Sequence, residues 1–184
     1  MMRVIFFSRV TEIGHCNCAE LFENVSKATI QDFETKYEKK WLNMMRDKLG
    51  LFGEDAKDEV LILDLLTWMH QNKADYTNTF CFLMGQEIDN KKDYQNDKFN
   101  NWKIKWQKRL TKDSEKLMKH NNPKIIPRNH NVESVLKSAE DNDLSPFNDL
   151  LKALKNPYTD SKVLSKYQSP PPKSDGKYQT FCGT

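Results

Sequence analysis

The sequence predicts an all-α protein: a bundle-like region of roughly six helices, followed by a long irregular Pro-rich C-terminal tail. Three observations predict it. Apolar and aromatic residues recur at spacings of three and four, as in Ile30, Phe33, Tyr37, Trp41 and Met44, and again in Phe99, Trp102, Trp106 and Leu110. Only 6 glycines occur in 184 residues, and β-branched runs are few. Prolines fall where the helical pattern stops, at Pro123 and Pro127, at Pro157 and in Pro170-Pro171-Pro172.

Composition narrows the classes. A chain of 184 residues is long enough for one domain with an adequate core, but 38% apolar and 30% charged residues imply a lean one. The net charge of +3 is too small to imply a nucleic-acid partner. No apolar run approaches the roughly 18–20 residues of a membrane span. Val4-Ile5-Phe6-Phe7 lacks the rest of a signal-peptide h-region, so no leader is expected. Four cysteines, Cys16, Cys18, Cys81 and Cys182, are too few for a disulfide scaffold, so a reducing setting is the default. His15-Cys16-Asn17-Cys18 has no second ligand pair at zinc-site spacing and reads as ordinary semi-buried cysteines.

The first long helix is expected from about Ala19 to Leu49, with Ile30, Phe33, Tyr37, Trp41, Met44 and Met45 on a core-facing side and Glu34, Lys36, Glu38, Lys39 and Lys40 largely opposite. Gly50 and Gly53 stop it, with Leu51 and Phe52 as apolar plugs. A second helix, about Ala56 to Gln71, is apolar on almost every side and reads as the central one. Asp75 is placed to N-cap a third, with Tyr76, Phe80 and Leu83 or Met84 inward. Gln86 to Asn96 reads as a polar surface loop, and Phe99 to Leu110 marks a fourth helix.

Asn122 to His130 then interrupts the pattern with two prolines four residues apart. Proline fixes its own φ and disfavours helix in the residue before it, so this is a rigid extended crossing. Ile125 and Ile126 are its apolar anchors, and Arg128, Asn129 and His130 are donors at the next helix start. That helix turns Val132, Val135, Leu136 and Ala139 inward. The last, N-capped by Ser145 with Pro146 in its first turn, turns Phe147, Leu150, Leu151 and Leu154 inward and ends at Asn156-Pro157.

No phosphate-binding glycine loop, nucleophile elbow or H-E-x-x-H zinc motif is present. The four histidines pair with no nucleophile, and acidic pairs such as Asp58-Glu59 and Glu140-Asp141 read as solvated helix faces or ends. From Asn96 to His130 there are 10 Lys and Arg against 3 Asp and Glu, a local balance of +7. With Trp102 and Trp106 interleaved, a phosphate-rich partner is one reading, and a solvated basic face behind a tryptophan core is the favoured one.

Met45-Arg46-Asp47-Lys48-Leu49-Gly50-Leu51, Asp75-Tyr76-Thr77-Asn78-Thr79-Phe80 and Asn122-Pro123 through Arg128-Asn129-His130 occur in this order. Val132-Glu133, Ala139-Glu140, Asp143-Leu144-Ser145, Asn156-Pro157-Tyr158, the triple proline and the terminal Phe181-Cys182-Gly183-Thr184 follow. As an ordered set, from about Leu21 to the end, they resemble the C-terminal part of the selenoprotein O family, protein adenylyltransferases with a kinase-like, pseudokinase-type fold. Three segments follow: residues 1–20, which match the family poorly, the helical region 21–158, and the extended Pro-rich tail 159–184.

The resemblance implies a function in outline. Family members move AMP from ATP to Ser, Thr or Tyr hydroxyls of other proteins, with Mg or Mn. The kinase-like lysine and glutamate and the Asn/Asp set that do this lie upstream of the matching region and have no counterpart here. No catalytic, cofactor-binding or metal residue is therefore assigned in this chain, ATP and metal are expected only of the full-length protein, and the chain alone is expected to be inactive. Its expected partners are the absent N-terminal catalytic region, or a separate chain carrying it, and the protein substrates of the whole enzyme. Neither membrane nor nucleic acid is expected. A bacterial-type member would be cytoplasmic, a eukaryotic one mitochondrial. Cys182, third from the end where family members carry selenocysteine or cysteine, is the candidate redox residue. Arg128 and Asn129 are candidate polar anchors, internal or to the absent lobe. The alternative is a stand-alone helical binding module using the basic 96–130 segment for an acidic or phosphate-rich partner.

Overall fold

The computed structural model describes residues 18–88, 94–159 and 165–171, and among them it holds seven α-helices and no strand. These are α1 (Cys18–Leu49), α2 (Asp58–Asn72), α3 (Tyr76–Leu83), α4 (Asp97–Gln107), α5 (Ser114–Asn121), α6 (Asn129–Glu140) and α7 (Ser145–Lys155), followed by a 3-10 turn, Ser165–Tyr167. The all-α class is what the sequence predicts. Alpha5 fills the stretch between Leu110 and the proline crossing, which its apolar spacing alone leaves open. No helix among the described residues is long and apolar enough to cross a membrane.

Two units divide the chain, Met1–Asn43 and Met44–Thr184. In the first, α1 is held by local bonds. Lys27 pairs with Glu23 and Lys36 with Asp32 one turn apart, and Thr29 and Thr35 donate to the carbonyls of Val25 and Gln31. Here most of the expected core face is open among the described residues, with Trp41 half-buried. Ile30, Phe33 and Tyr37 are 66%, 69% and 59% exposed, and the Phe33 and Tyr37 rings stack only on each other, 6.2 Å apart. Periodicity fixes which side of a helix is apolar but not what lies against it.

In the second unit, α2 packs on α4. Leu61, Ile62, Leu65, Trp68 and Met69 meet Phe99, Trp102 and Trp106, with the Trp68 and Phe99 rings 4.5 Å apart and Trp102 stacked on Trp106 at 5.8 Å. Each indole N–H has an acceptor. Trp102 donates to the Leu61 carbonyl (2.8 Å), Trp106 to that of Leu49 (2.9 Å), and Trp68 to the Asn96 side chain (3.1 Å), which also caps α4 through the Phe99 N–H. The two tryptophans of the basic segment are thus core residues. Around α6 and α7, a second cluster gathers Ile125, Val135, Leu150, Ala153 and Tyr167.

Several expected orientations change. Val60 and Leu63 are exposed, so α2 is buried along one side rather than several. Phe52, read as an apolar plug, and Leu136, Phe147 and Leu151, expected inward, are also exposed. Tyr94, expected in a surface loop, is buried with its ring against Phe82 and Trp68 and its hydroxyl 3.0 Å from that of Thr79. The last helix starts at Ser145 itself, and the Asp143 carboxylate accepts the Ser145 N–H in place of a serine cap.

The end of α1 shows how a helix terminus is satisfied. Its orphan carbonyls need donors, and all are supplied. Leu51 N–H bonds Arg46, Gly50 N–H bonds Asp47, Asn122 Nδ2 bonds Lys48, Trp106 bonds Leu49, and the Ser114 hydroxyl bonds the Gly50 carbonyl beyond. Gly50 and Gly53 both have a φ of 71°. They differ in surroundings: a Cβ on Gly50 would lie 2.8 Å from the Ser114 carbonyl oxygen and 2.9 Å from Met118, whereas Gly53 faces open space. Gly53→Ala should therefore cost about 1 kcal/mol for its left-handed backbone, and Gly50→Ala about 2 kcal/mol more for overpacking. Urea denaturation of the two variants measures the difference.

Candidate functional site at the proline crossing

The residues from Asn122 to His130 join the two clusters of the second unit. Asn122 begins the crossing in extended conformation, φ −119° and ψ 101°, as the following proline requires. Its buried amide donates to the carbonyls of Lys48 (2.8 Å) and Met118 (2.9 Å), and its oxygen accepts from Lys48 Nζ (3.2 Å). Lys48 Nζ also reaches the Asn121 carbonyl at 3.3 Å and lies 5.0 Å above the Phe80 ring. Burial pushes the Lys48 ammonium below its ordinary value. Next, Lys124 and Ile125 donate their N–H groups to the Pro157 carbonyl at 2.7 and 3.3 Å, fastening the crossing to the chain just after α7. Ile125 is the apolar anchor, inside the α6–α7 cluster, with Ile126 half-buried.

Arg128 closes the crossing. Its guanidinium meets the Asp75 carboxylate through two bonds of 2.7 and 2.8 Å, and reaches the Asn78 side chain at 3.4 Å. A planar fork against a carboxylate is the arrangement arginine makes and lysine cannot. Asp75 is at the same time the N-cap of α3, accepting the Asn78 N–H at 2.8 Å. Burial alone would push the Asp75 carboxyl up, but Arg128 and the Asn78 amide hold it below its ordinary value of 3.8. Arg128 Nε is buried without a partner. Asn129 and His130 open α6, Asn129 exposed and His130 half-buried. An open groove of about 1060 Å³ runs past Arg128, Asn129, His130, Glu133 and Lys137. The structure thus brings Arg128 to Asp75 and leaves Asn129 at the groove edge. Cys182, Cys16 and the Cys18 side chain lie outside the described residues. Cys81 is buried, and burial pushes its thiol up, which makes it a poor nucleophile.

A second polar centre has no clear signature in the sequence. Asp58, read there as half of a solvated acidic pair, is 1% exposed. It accepts from Arg46 Nε (2.8 Å), Arg109 Nε (3.0 Å) and NH2 (3.2 Å), and the Asp55 N–H (3.1 Å). The end of α1, the start of α2 and the segment after α4 meet on one carboxylate. Desolvation would raise the Asp58 carboxyl, but the arginines and the Asp55 amide keep it below its ordinary value. Acidic residues in a first helical turn are common, so only the pairing distances, 12 and 51 positions in sequence, could have distinguished this one.

These centres do not fit a divalent cation. No group of three His, Cys, Asp or Glu side chains converges among the described residues. The buried carboxylate of Asp58 and the half-buried one of Asp75 already face arginines and backbone N–H donors. No chemical step is assigned to either centre.

Both carboxylates are held low in the folded state, so their stabilising effect is complete above the unfolded carboxyl value near 4 and is lost as pH falls through the lower folded values. The urea midpoint should fall steeply below about pH 4, and Asp58→Asn with Asp75→Asn should flatten that acid limb while lowering stability at neutral pH. Arg128→Ala leaves Asp75 without its counter-charge and should cost about 3 kcal/mol. Arg128→Lys should recover only part of it in the same measurement.

The sequence matches known proteins along most of its length. The family profile described as "Protein adenylyltransferase SelO" matches residues 17–155. A "Protein nucleotidyltransferase YdiU" of Pelagibacter ubique is 55% identical over 161 residues, which cover 84% of this chain and 33% of that protein. The protein of the same name from Clostridium perfringens strain 13 is 47% identical over 167 residues, 88% of this chain and 34% of the relative. That from Nitrosococcus oceani is 41% identical over 177 residues. The chain spans about a third of the length of these curated relatives. The stretch that matches contains every helix bonded to the crossing, and the chain belongs to the SelO family of protein nucleotidyltransferases.

Proposed function

We propose that this chain is the C-terminal helical portion of a SelO-type protein adenylyltransferase, supporting a kinase-like catalytic portion that moves AMP from ATP to hydroxyl side chains of proteins. The observation that carries this reading is the extent of the match: 55% identity across 84% of this chain, against 33% of the relative's length. The remaining two thirds of such a protein is where the phosphate- and metal-binding residues of the reaction would lie. This chain's contribution is mechanical. Asp75–Arg128, Lys48–Asn122 and the Pro157 carbonyl hold the last turn of α1, α3, α6 and the end of α7 in fixed register, which is what a catalytic lobe needs from a support. ATP with Mg or Mn, and protein substrates, belong to the whole enzyme in this reading, and a bacterial member would work in the cytoplasm.

The basic segment gives the competing reading less support. With Trp102 and Trp106 committed to the core, no tryptophan of that segment is left to stack on bases, and its exposed lysines are the solvated face of α4 and α5.

The purified chain, given ATP labelled at the α-phosphate and Mg or Mn, is expected to transfer no AMP to itself or to added proteins. Labelling that survives repurification would contradict the reading. The reading also expects sequence upstream of Met1, in the same or a shifted frame, to encode a kinase-like lysine, a glutamate and an Asn/Asp set; an unrelated gene there would count against it.

A further inference from the structure

We propose that the exposed aromatic stripe of α1 is the seat of the catalytic portion, the surface through which this chain grips the two thirds of a family-length protein that it does not contain. The inference rests on the proposed function and adds the location of the joint. Ile30, Phe33, Tyr37 and Trp41 recur at spacings of three and four, so they share one side of the helix along about 17 Å of its axis. Three of the four are more than half exposed, and the Phe33 and Tyr37 rings already lie stacked. Rigid aromatic side chains in a contiguous patch are the composition of an interface core, not of a solvated helix face.

The flanks narrow the occupant. At 100° per residue, Glu34 and Glu38 border the stripe on one side and Lys36 and Lys40 on the other, all exposed. The surface that fits is therefore apolar along its middle, with basic groups facing the glutamates and acidic groups facing the lysines. A second copy of α1 fits poorly. With Ile30, Phe33 and Tyr37 taken as the a, d and a positions of a coiled coil, the next d position is Lys40, and a two-stranded seam would bury that lysine. The body of the same protein fits better. The family match begins at residue 17, so the whole stripe lies in the family-shared part, while most of each relative's polypeptide lies outside the match.

Hydroxyl-radical footprinting tests this on two proteins, this chain and the full-length Pelagibacter ubique relative. In this chain Ile30, Phe33 and Tyr37 should be oxidised as freely as exposed residues. In the relative, the positions aligned with them should lose that labelling. A double substitution, Phe33→Gln with Tyr37→Gln, should leave the melt of this chain unchanged and lower the melting midpoint of the relative when made at the aligned positions. Equal labelling in both proteins would overturn the inference. So would protection that grows with concentration in this chain alone, which would give the stripe to a second copy. Neither of those results bears on AMP transfer, so the proposed function stands or falls separately by the labelled-ATP assay.

Discussion

The Asp75–Arg128 pair is the contact on which the arrangement of the second unit depends. A proline-stiffened strand of chain can hold two helical clusters in register only if both ends are fixed, and prolines fix conformation without fixing position. Asn122 secures one end to the last turn of α1, and Arg128 secures the other to the first turn of α3. Because Asp75 is also the α3 cap, the start of that helix and the end of the crossing are set by the same carboxylate. A fork of two charge-assisted bonds fixes orientation as well as distance, and Ile125, three residues earlier, is thereby delivered into the α6–α7 cluster.

Asp58 does the corresponding work for α1, α2 and the segment after α4. Both centres place a carboxylate, fully buried at Asp58 and half-buried at Asp75, against arginine, and both involve backbone N–H donors, so neither charge is left uncompensated. A misregistered helix would leave such a charge without its partner, which penalises wrong arrangements. For a lean core with 38% apolar residues, register set by charge is a physically reasonable substitute for depth of packing.

Much of this was legible in the sequence for local reasons. The α1, α2 and α4 patterns, the Asp75 cap and the extended crossing all follow from residues within a few positions of one another. The order of motifs carried the family. What stayed hidden depends on chain brought from far away. Asp58 looks like any acidic first-turn residue until Arg46 and Arg109 arrive from other elements. Asp75 reads as a cap, and its second role needs Arg128, 53 positions later. The α1 stripe failed in the opposite sense. Its spacing says that it is buried, and among the described residues Ile30, Phe33 and Tyr37 are open to solvent. A seat for the catalytic portion, as proposed above, would account for that difference.

A supporting portion must matter to a catalytic one. The measurement that tests this most directly is AMP transfer by the complementary two thirds of the Pelagibacter ubique relative, produced with and without this chain. The account predicts little or no transfer by the catalytic portion alone, and restored incorporation of labelled AMP into protein when this chain is co-expressed and co-purifies. Full transfer without this chain, or transfer by this chain alone, would contradict it.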